Sequence, residues 1–367
     1  MFTWILLLPA VGISVYFYFF FRRAFSAFGV DKDAPIGKWS ALLAGAALGL
    51  PCCSFRTIYA LFVLHLFGFC VFFDLVRFLV FLGLKKKATL FQRARKLFAC
   101  GVLPLVCTIA LIIGGALNMA NVRPTYYTVT TEKSIPDEGY RVAFVSDVHL
   151  GTSLDLTDIA SLCHEIEDEK IDMLILGGDI VDEGSDRTEL SALFSLFAGV
   201  ESKYGTYFVF GNHDRSRRTN EDFEGLIEES GVTVLRDEAL LLDDTLLLVG
   251  REDRGFVGEG QRLSVSDLLS PYDEQVFRLV LDHQPSDYAE SADMGVDLLL
   301  SGHTHGGQLF PLNLLQEIIP FNDAVYGETP IGENGVAIVS SGVAGWAYPV
   351  KTAAPAEYLI IDINSKK

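Results

Sequence analysis

Five polar clusters in the last two-thirds of a 367-residue chain hold most of its chemistry: Asp147-Val148-His149, Gly178-Asp179, Gly211-Asn212-His213-Asp214, His283 and Gly302-His303-Thr304-His305. Five of the seven histidines fall inside them, leaving His65 and His164 elsewhere. Imidazole and carboxylate together suit borderline ions such as Zn, Mn or Fe, whereas a Mg or Ca site would be mostly oxygen. Two such ions about 3.5–4 Å apart supply what phosphate-ester hydrolysis needs at neutral pH, a hydroxide nucleophile and positive charge on the non-bridging oxygens. The clusters are therefore expected to furnish the ligands of a two-metal hydrolytic site.

Apolar runs are expected to position them. Val142–Val145 precedes Asp147, Met173–Leu176 precedes Asp179, Tyr207–Phe210 precedes Asn212, Val276–Leu281 precedes His283 and Val296–Leu300 precedes His303. Read as strands, these runs place each cluster at a carboxyl end, where open α/β sheets bind ligands. The one-residue gap in Asp147-x-His149 and His303-x-His305 puts both side chains on one face if the backbone stays extended.

The strings Ser-Asp-Val-His-Leu-Gly from Ser146, Gly-Gly-Asp from Gly177, Gly-Asn-His-Asp from Gly211, Asp-His-Gln-Pro from Asp282 and Ser-Gly-His-Thr-His-Gly-Gly-Gln from Ser301 resemble the calcineurin-like metallophosphoesterase superfamily. Within it they resemble the YkuE/YaeI-like membrane-associated branch, over residues 125–363. The resemblance implies a two-sheet α/β sandwich, a phosphoester substrate and two divalent or mixed-valence transition ions (Mn, Zn or Fe). It implies that Asp147, His149 and His305 hold one ion, that Asn212, His283 and His303 hold the other, and that Asp179 bridges both. His213 would face the scissile phosphate as the catalytic residue, an imidazole titrating near neutrality being suited to protonating a leaving oxygen; the nucleophile would be a metal-activated hydroxide. Where the family pattern carries an Arg, this chain has Lys351, which keeps the charge and loses the bidentate fork. Asp214 reads as a brace or helix cap, and Asp155, Asp158 and Asp182 as loop or capping acids.

Charge divides the chain near residue 122. Residues 1–122 carry twelve Lys or Arg against three Asp or Glu, net +9, and the remainder carries 17 against 44, net −27, giving the overall −18. The first part is expected to be an all-α transmembrane region of about four helices (residues 1–122), with spans at Thr3–Phe21, Ala41–Phe55, Thr57–Leu84 and Phe98–Leu117, since about twenty apolar residues cross a bilayer. The second span is the weakest, being short and interrupted by Pro51. Arg22, Arg23, Lys32 and Lys38 in one link, and Lys85–Lys87, Arg93, Arg95 and Lys96 in another, place both links in the cytoplasm by the positive-inside rule. The metallophosphoesterase domain (residues 123–367) is then expected outside the cytoplasm, on a multi-pass integral membrane protein. Within the spans, Asp74 and Arg77 are expected to pair, Gly45 and Gly49 to allow close helix packing, and His65 to hydrogen-bond between helices. Five of the six cysteines fall in the spans, so Cys163 has no intradomain disulfide partner.

Helices are expected at Leu156–Glu169, Glu189–Glu201 and Asp222–Ser230, and further strands at Val232–Leu235, Leu246–Gly250, Val336–Ser340 and Tyr358–Ile363. A net charge of −27 opposes docking of long nucleic acids, so a small or lipid-linked phosphoester is the expected substrate and the bilayer the expected partner; the oligomeric state is left open. Two other functions fit the sequence: a lipid-sugar pyrophosphatase resembling UDP-2,3-diacylglucosamine hydrolase, and a non-catalytic metal-binding membrane sensor. Leu309–Pro320 is unusually apolar for a loop after a metal motif. It is expected to pack beneath the sheet, the alternative being that it faces the membrane and admits a lipid.

Overall fold

A computed structural model describes residues 2–31, 34–54, 57–83, 98–151, 153–182, 187–214, 223–255, 262–319 and 321–366. The chain forms two compact units, Met1–Gly115 and Ala116–Lys367.

The first unit is helical. Helices α1 (Phe2–Ala27), α2 (Pro35–Gly49), α3 (Ile58–Gly83) and α4 (Val102–Met119) follow the four expected spans. Three stretches among the described residues are long and apolar enough to cross a membrane, Pro35–Cys53, Ile58–Val80 and Val102–Met119. The second span starts earlier than its hydropathy suggested, because Pro35 opens α2 in the first turn, where its missing N–H costs nothing. Pro51 does not break it, since Leu50–Cys53 continues as a 3-10 turn. Gly45 and Gly49 do bring α2 against α1: a Cβ on Gly45 would lie 2.6 Å from the Ser14 carbonyl oxygen. Asp74 pairs with Arg77 at 3.4 Å, and more closely with Arg23 of α1 at 2.6 Å and the Tyr16 hydroxyl at 2.8 Å. The expectation for His65 was wrong, because its Nδ1 meets the Leu61 carbonyl 2.8 Å away, one turn back in its own helix. The basic link Lys85–Lys96 and the end residues Phe55 and Leu84 lie outside the described residues.

The second unit is a sandwich of two six-stranded mixed sheets. One runs β1 (Arg123–Thr131), β12 (Glu357–Ser365), β2 (Tyr140–Val145), β3 (Met173–Leu176), β4 (Thr206–Phe208), β5 (Thr233–Val234). The other runs β10 (Gly327–Ile331), β11 (Gly335–Val339), β9 (Leu298–Ser301), β8 (Phe277–Leu281), β7 (Leu246–Gly250), β6 (Glu238–Leu242). Strand alternation sends Val142 and Phe144, Leu279 and Leu281, and Leu298 and Leu300 into the core between the sheets. Ala143 and Val145 face the opposite way, into a layer with α5 (Leu156–Asp168), α6 (Arg187–Ala198) and α7 (Phe223–Glu229). Val280 and Leu299 face a third cluster under α8 (Val265–Leu269) and α9 (Tyr288–Asp293). Each such fully buried side chain contributes roughly 1.5–3 kcal/mol. Strands β2, β3 and β4 run parallel, as do β7, β8 and β9, so their carboxyl ends gather on one rim.

Three strands escaped the sequence, β1, β6 and β10. Asp155 and Asp158 do cap α5 reciprocally. The apolar segment departs from expectation: α10 (Leu312–Ile318) has no buried residue, and Leu309 alone tucks inward. Pro320, its last expected residue, lies outside the described residues.

Candidate metal centre

Each cluster emerges where a parallel strand stops. The turns after β2 and β3 run side by side, with Asp147 N–H donating to the Gly178 carbonyl at 3.0 Å and His149 N–H to the Asp179 carbonyl at 3.1 Å. Asp147, His149, Asp179, His303 and His305 all hold positive φ, between 43° and 70°. Non-glycine residues pay for that conformation in strain, and such strain collects at functional sites. It also means that Asp147-x-His149 and His303-x-His305 are not extended, so their side chains converge through curled backbone and not through strand alternation.

The side chains form three groups among the described residues, one of them, His149, Asp182 and His213, sharing His149 with another. Asp147, His149 and His305 present ligand atoms within 4.8 Å of one another, as do Asp179, His283 and His303. Asn212 and His213 stand beside them, the His213 N–H donating to Asp179 Oδ1 at 2.6 Å. His283 Nδ1 faces the Gly177 carbonyl at 2.8 Å and His305 Nδ1 the Ala344 carbonyl at 3.2 Å. A carbonyl at Nδ1 fixes the tautomer and leaves the Nε2 lone pair for the site. His149 Nε2 and His305 Nε2 lie 3.3 Å apart, their rings nearly parallel.

Electrostatics sort the rings. Burial drives His305 down to about 3 and His303 to about 4, with the neighbouring His283 adding to the depression of His303. Burial also works against the charged form of His213, but Asp182 and Asp179 outweigh it and hold its pKa above the ordinary imidazole value. Burial raises the Asp147 carboxyl, yet His305 and His283 bring it below the usual range.

Among the expected ligand residues, three buried polar atoms have no hydrogen-bond partner: His149 Nδ1, Asn212 Oδ1 and His283 Nε2. His283 Nε2 stands 3.2 Å from Asp179 Oδ2 but out of hydrogen-bonding alignment. Stranding such atoms costs about 1–3 kcal/mol each, and imidazole nitrogen with amide and carboxylate oxygen is a donor set that transition ions accept. The residues present therefore fit metal ions.

Asp182, read from sequence as a loop or capping acid, lies outside any helix or strand but stands beside the site. Its carboxylate lies 3.4 Å from His213 Nδ1 and 3.9 Å from His149 Nδ1. Asp214 is fully buried and accepts from the N–H groups of Asp179, Val181 and Gly211 at 2.8–3.1 Å, bracing three turns of the site. Lys351 is buried too, its Nζ donating to the carbonyls of Ser341 and Gly342 at 2.5 and 2.8 Å, so its amine ties down a turn. Sequence reasoning also missed Arg251 and Arg262, which both donate to the buried Asp282 beside His283. Trp346 sets its ring 5.6 Å from that of His213.

Residues 140–307 match the family model described as calcineurin-like phosphoesterase. An uncharacterized metallophosphoesterase of Campylobacter jejuni is 27% identical over 307 residues, spanning 82% of this chain and 79% of that protein. The Bacillus subtilis metallophosphoesterase YkuE is 26% identical over 295 residues, 75% of this chain and 99% of that one. A Danio rerio transmembrane protein with a metallophosphoesterase domain is 26% identical over 270 residues, 70% of this chain and 61% of that one. The chain carries a calcineurin-like metallophosphoesterase domain; it is a metal-dependent phosphoesterase and a membrane protein.

Proposed function

We propose that this metallophosphoesterase is a membrane-anchored, binuclear enzyme that hydrolyses a small or lipid-linked phosphoester outside the cytoplasm. Residues 1–122 form its multi-pass anchor and residues 123–367 its catalytic domain. Asp147, His149 and His305 would hold one ion, Asn212, His283 and His303 the other, and Asp179 would serve both. The supporting observation is the pair of three-residue groups, each within 4.8 Å, that share a buried rim with three partnerless ligand atoms. When bound, two such ions supply Lewis acidity that polarises phosphoryl oxygens and acidifies water.

The protein's own residues do the rest. Asp182 holds His213 by Nδ1, which orients the ring so that its Nε2 would deliver a proton to the leaving oxygen. Asp214 fixes the turns that carry Asp179 and Asn212. Trp346 lies against the His213 ring and shields it from bulk water on that side. The domain's net charge of −27 disfavours long nucleic acids as substrates.

The test is full-length protein in detergent, loaded with Mn or Zn, with metal content measured beside hydrolysis of an aryl phosphodiester. Two ions per chain are expected, with activity abolished by Asp179→Ala and His213→Ala. If metal-loaded protein hydrolysed no phosphoester or pyrophosphate, the proposal would fail.

A further inference from the structure

The apolar segment after Gln308 has no part in phosphoester chemistry, and it is not folded into the domain. Phe310, Leu312, Leu315, Ile318, Ile319 and Phe321 are all exposed, Ile318 and Phe321 at 74% of their full surface. From Leu309 to Phe321 the only charged residue is Glu317. A contiguous apolar ridge of this kind marks a contact surface, and its surroundings say with what.

Its near end shares an anchor with an apolar helix. The last turn of α4 already belongs to the catalytic unit, and in it Asn118 Nδ2 donates to the carbonyls of Lys351 and Ala354 at 2.9 and 2.8 Å. The same loop grips the start of the ridge: Thr352 and Ala353 N–H donate to the Gln308 carbonyl at 2.8 and 3.1 Å, and Phe310 N–H to Thr352 Oγ1 at 2.8 Å. Gln308 Nε2 in turn donates to the carbonyls of Trp346, Tyr348 and Val350. A helix apolar enough to cross a bilayer releases its chain near the bilayer surface, and the first residues so released are bonded by the loop that also holds the start of the ridge. Trp346 in that loop, partly exposed, is a residue type that favours the headgroup level.

The far end is fixed beside the metal centre. Arg254 donates to the Phe321 carbonyl at 3.3 Å and to Asn322 Oδ1 at 3.0 Å, and its Nε bonds Gln284 Oε1 at 2.7 Å, next to His283. The ridge thus begins just after His305 and ends against a neighbour of His283.

We propose that Phe310–Ile319 and Phe321 form a bilayer-docking ridge: it enters the interfacial layer of a membrane, and the phosphoester hydrolysed belongs to a lipid of that leaflet. The substrate half rests on the phosphoesterase proposal above; the docking half does not. Acyl chains lying against the ridge would leave a headgroup phosphate at the rim where His213 and His303 are partly exposed.

The test uses full-length protein in nanodiscs of phosphatidylcholine and phosphatidylglycerol. A fluorescent amino acid is placed at position 318, or at position 203 before β4 as a control, and bromine-labelled lipids serve as quenchers. Quenching at 318 and none at 203 is expected. An unquenched 318 overturns docking, whether water or a second copy of the chain covers it. In a second arm, metal-loaded native protein and Leu315→Glu/Ile318→Glu hydrolyse a soluble aryl phosphodiester and dye-labelled phosphatidyl esters in vesicles. The variant should lose at least about tenfold on the vesicle esters and stay within about twofold on the soluble ester. Equal rates of the two proteins on the vesicle esters, or hydrolysis of the soluble ester alone by native protein, overturn the substrate half. Should native protein hydrolyse neither, the phosphoesterase proposal and the substrate half fail together, and quenching at 318 decides docking by itself.

Discussion

Gly302 offers a sharp test of how the centre is assembled. A Cβ at this position would lie 2.3 Å from Asp147 Oδ2 and 2.6 Å from Ser146 Oγ, where ordinary contact starts at 3.4 Å. The carboxylate would have to retreat by about 1 Å, and it has little freedom to do so. The His303 N–H holds both its oxygens at 3.0 and 3.1 Å, and Asp147 is wholly buried. A displacement of that size at a reacting centre costs on the order of 100-fold in rate, equivalent to about 2.7 kcal/mol. The packing strain should cost stability as well, about 1–3 kcal/mol. The assay compares kcat/KM of native protein and Gly302→Ala on a soluble aryl phosphodiester, with metal content and melting temperature measured on the same samples. Gly225→Ala is the control, because nothing lies within 4 Å of its added Cβ. A Gly302→Ala enzyme within about threefold of native kcat/KM and with full metal content would refute the idea that Asp147 must sit where this glycine lets it.

Asp182→Asn should lower kcat by tenfold or more while leaving KM nearly unchanged, since it removes the charge that holds His213 at 3.4 Å. The loss should be larger for an alkyl leaving group than for a nitrophenyl one, because only the alkoxide needs the proton; equal losses would count against His213 as the acid. Glu169 tests linkage away from the centre: burial raises its carboxyl, but Tyr126 and Arg141 outweigh it and hold the pKa below the ordinary 4.5. A depressed carboxylate stabilises the fold above its unfolded value and loses that contribution as pH falls through the folded value. Glu169→Gln should therefore melt lower than native protein at pH 7 and converge with it below pH 4.5; parallel curves would exclude the effect. Chelation should lower the melting temperature of full-length protein in detergent, because ions bound only by the folded state at about 100 times their Kd add about 2.7 kcal/mol. An unchanged melting temperature on metal removal would show that the folded rim holds none.

How much of this was legible in sequence depends on what each signal reports. The rim residues were visible because histidine and aspartate at the ends of apolar strands are rare unless something uses them, and the runs at β2, β3 and β8 read correctly for the same reason. Asp182 was not, because its partner His213 lies thirty-one residues further on and no local periodicity joins them. Strand β1 escaped because its Thr and Tyr residues half-cover an edge, and its parallel partner β12 is more than two hundred residues distant. The curled backbone at Asp147 and His303 escaped because dihedral angles at non-glycine residues leave no trace in residue type.

The apolar segment after Gln308 failed for a more instructive reason. Hydropathy measures how strongly a stretch is driven out of water, and in the strands β7, β8 and β9 protein does the excluding, so burial was the natural expectation for Leu309–Pro320 as well. Here Leu309 finds cover within the domain, while Ile318 and Phe321 stand 74% exposed in a segment whose start is held by the loop that also bonds Asn118. The same driving force acts on both sets of residues. What differs is the occupant, and on the docking proposal a bilayer supplies the second apolar phase.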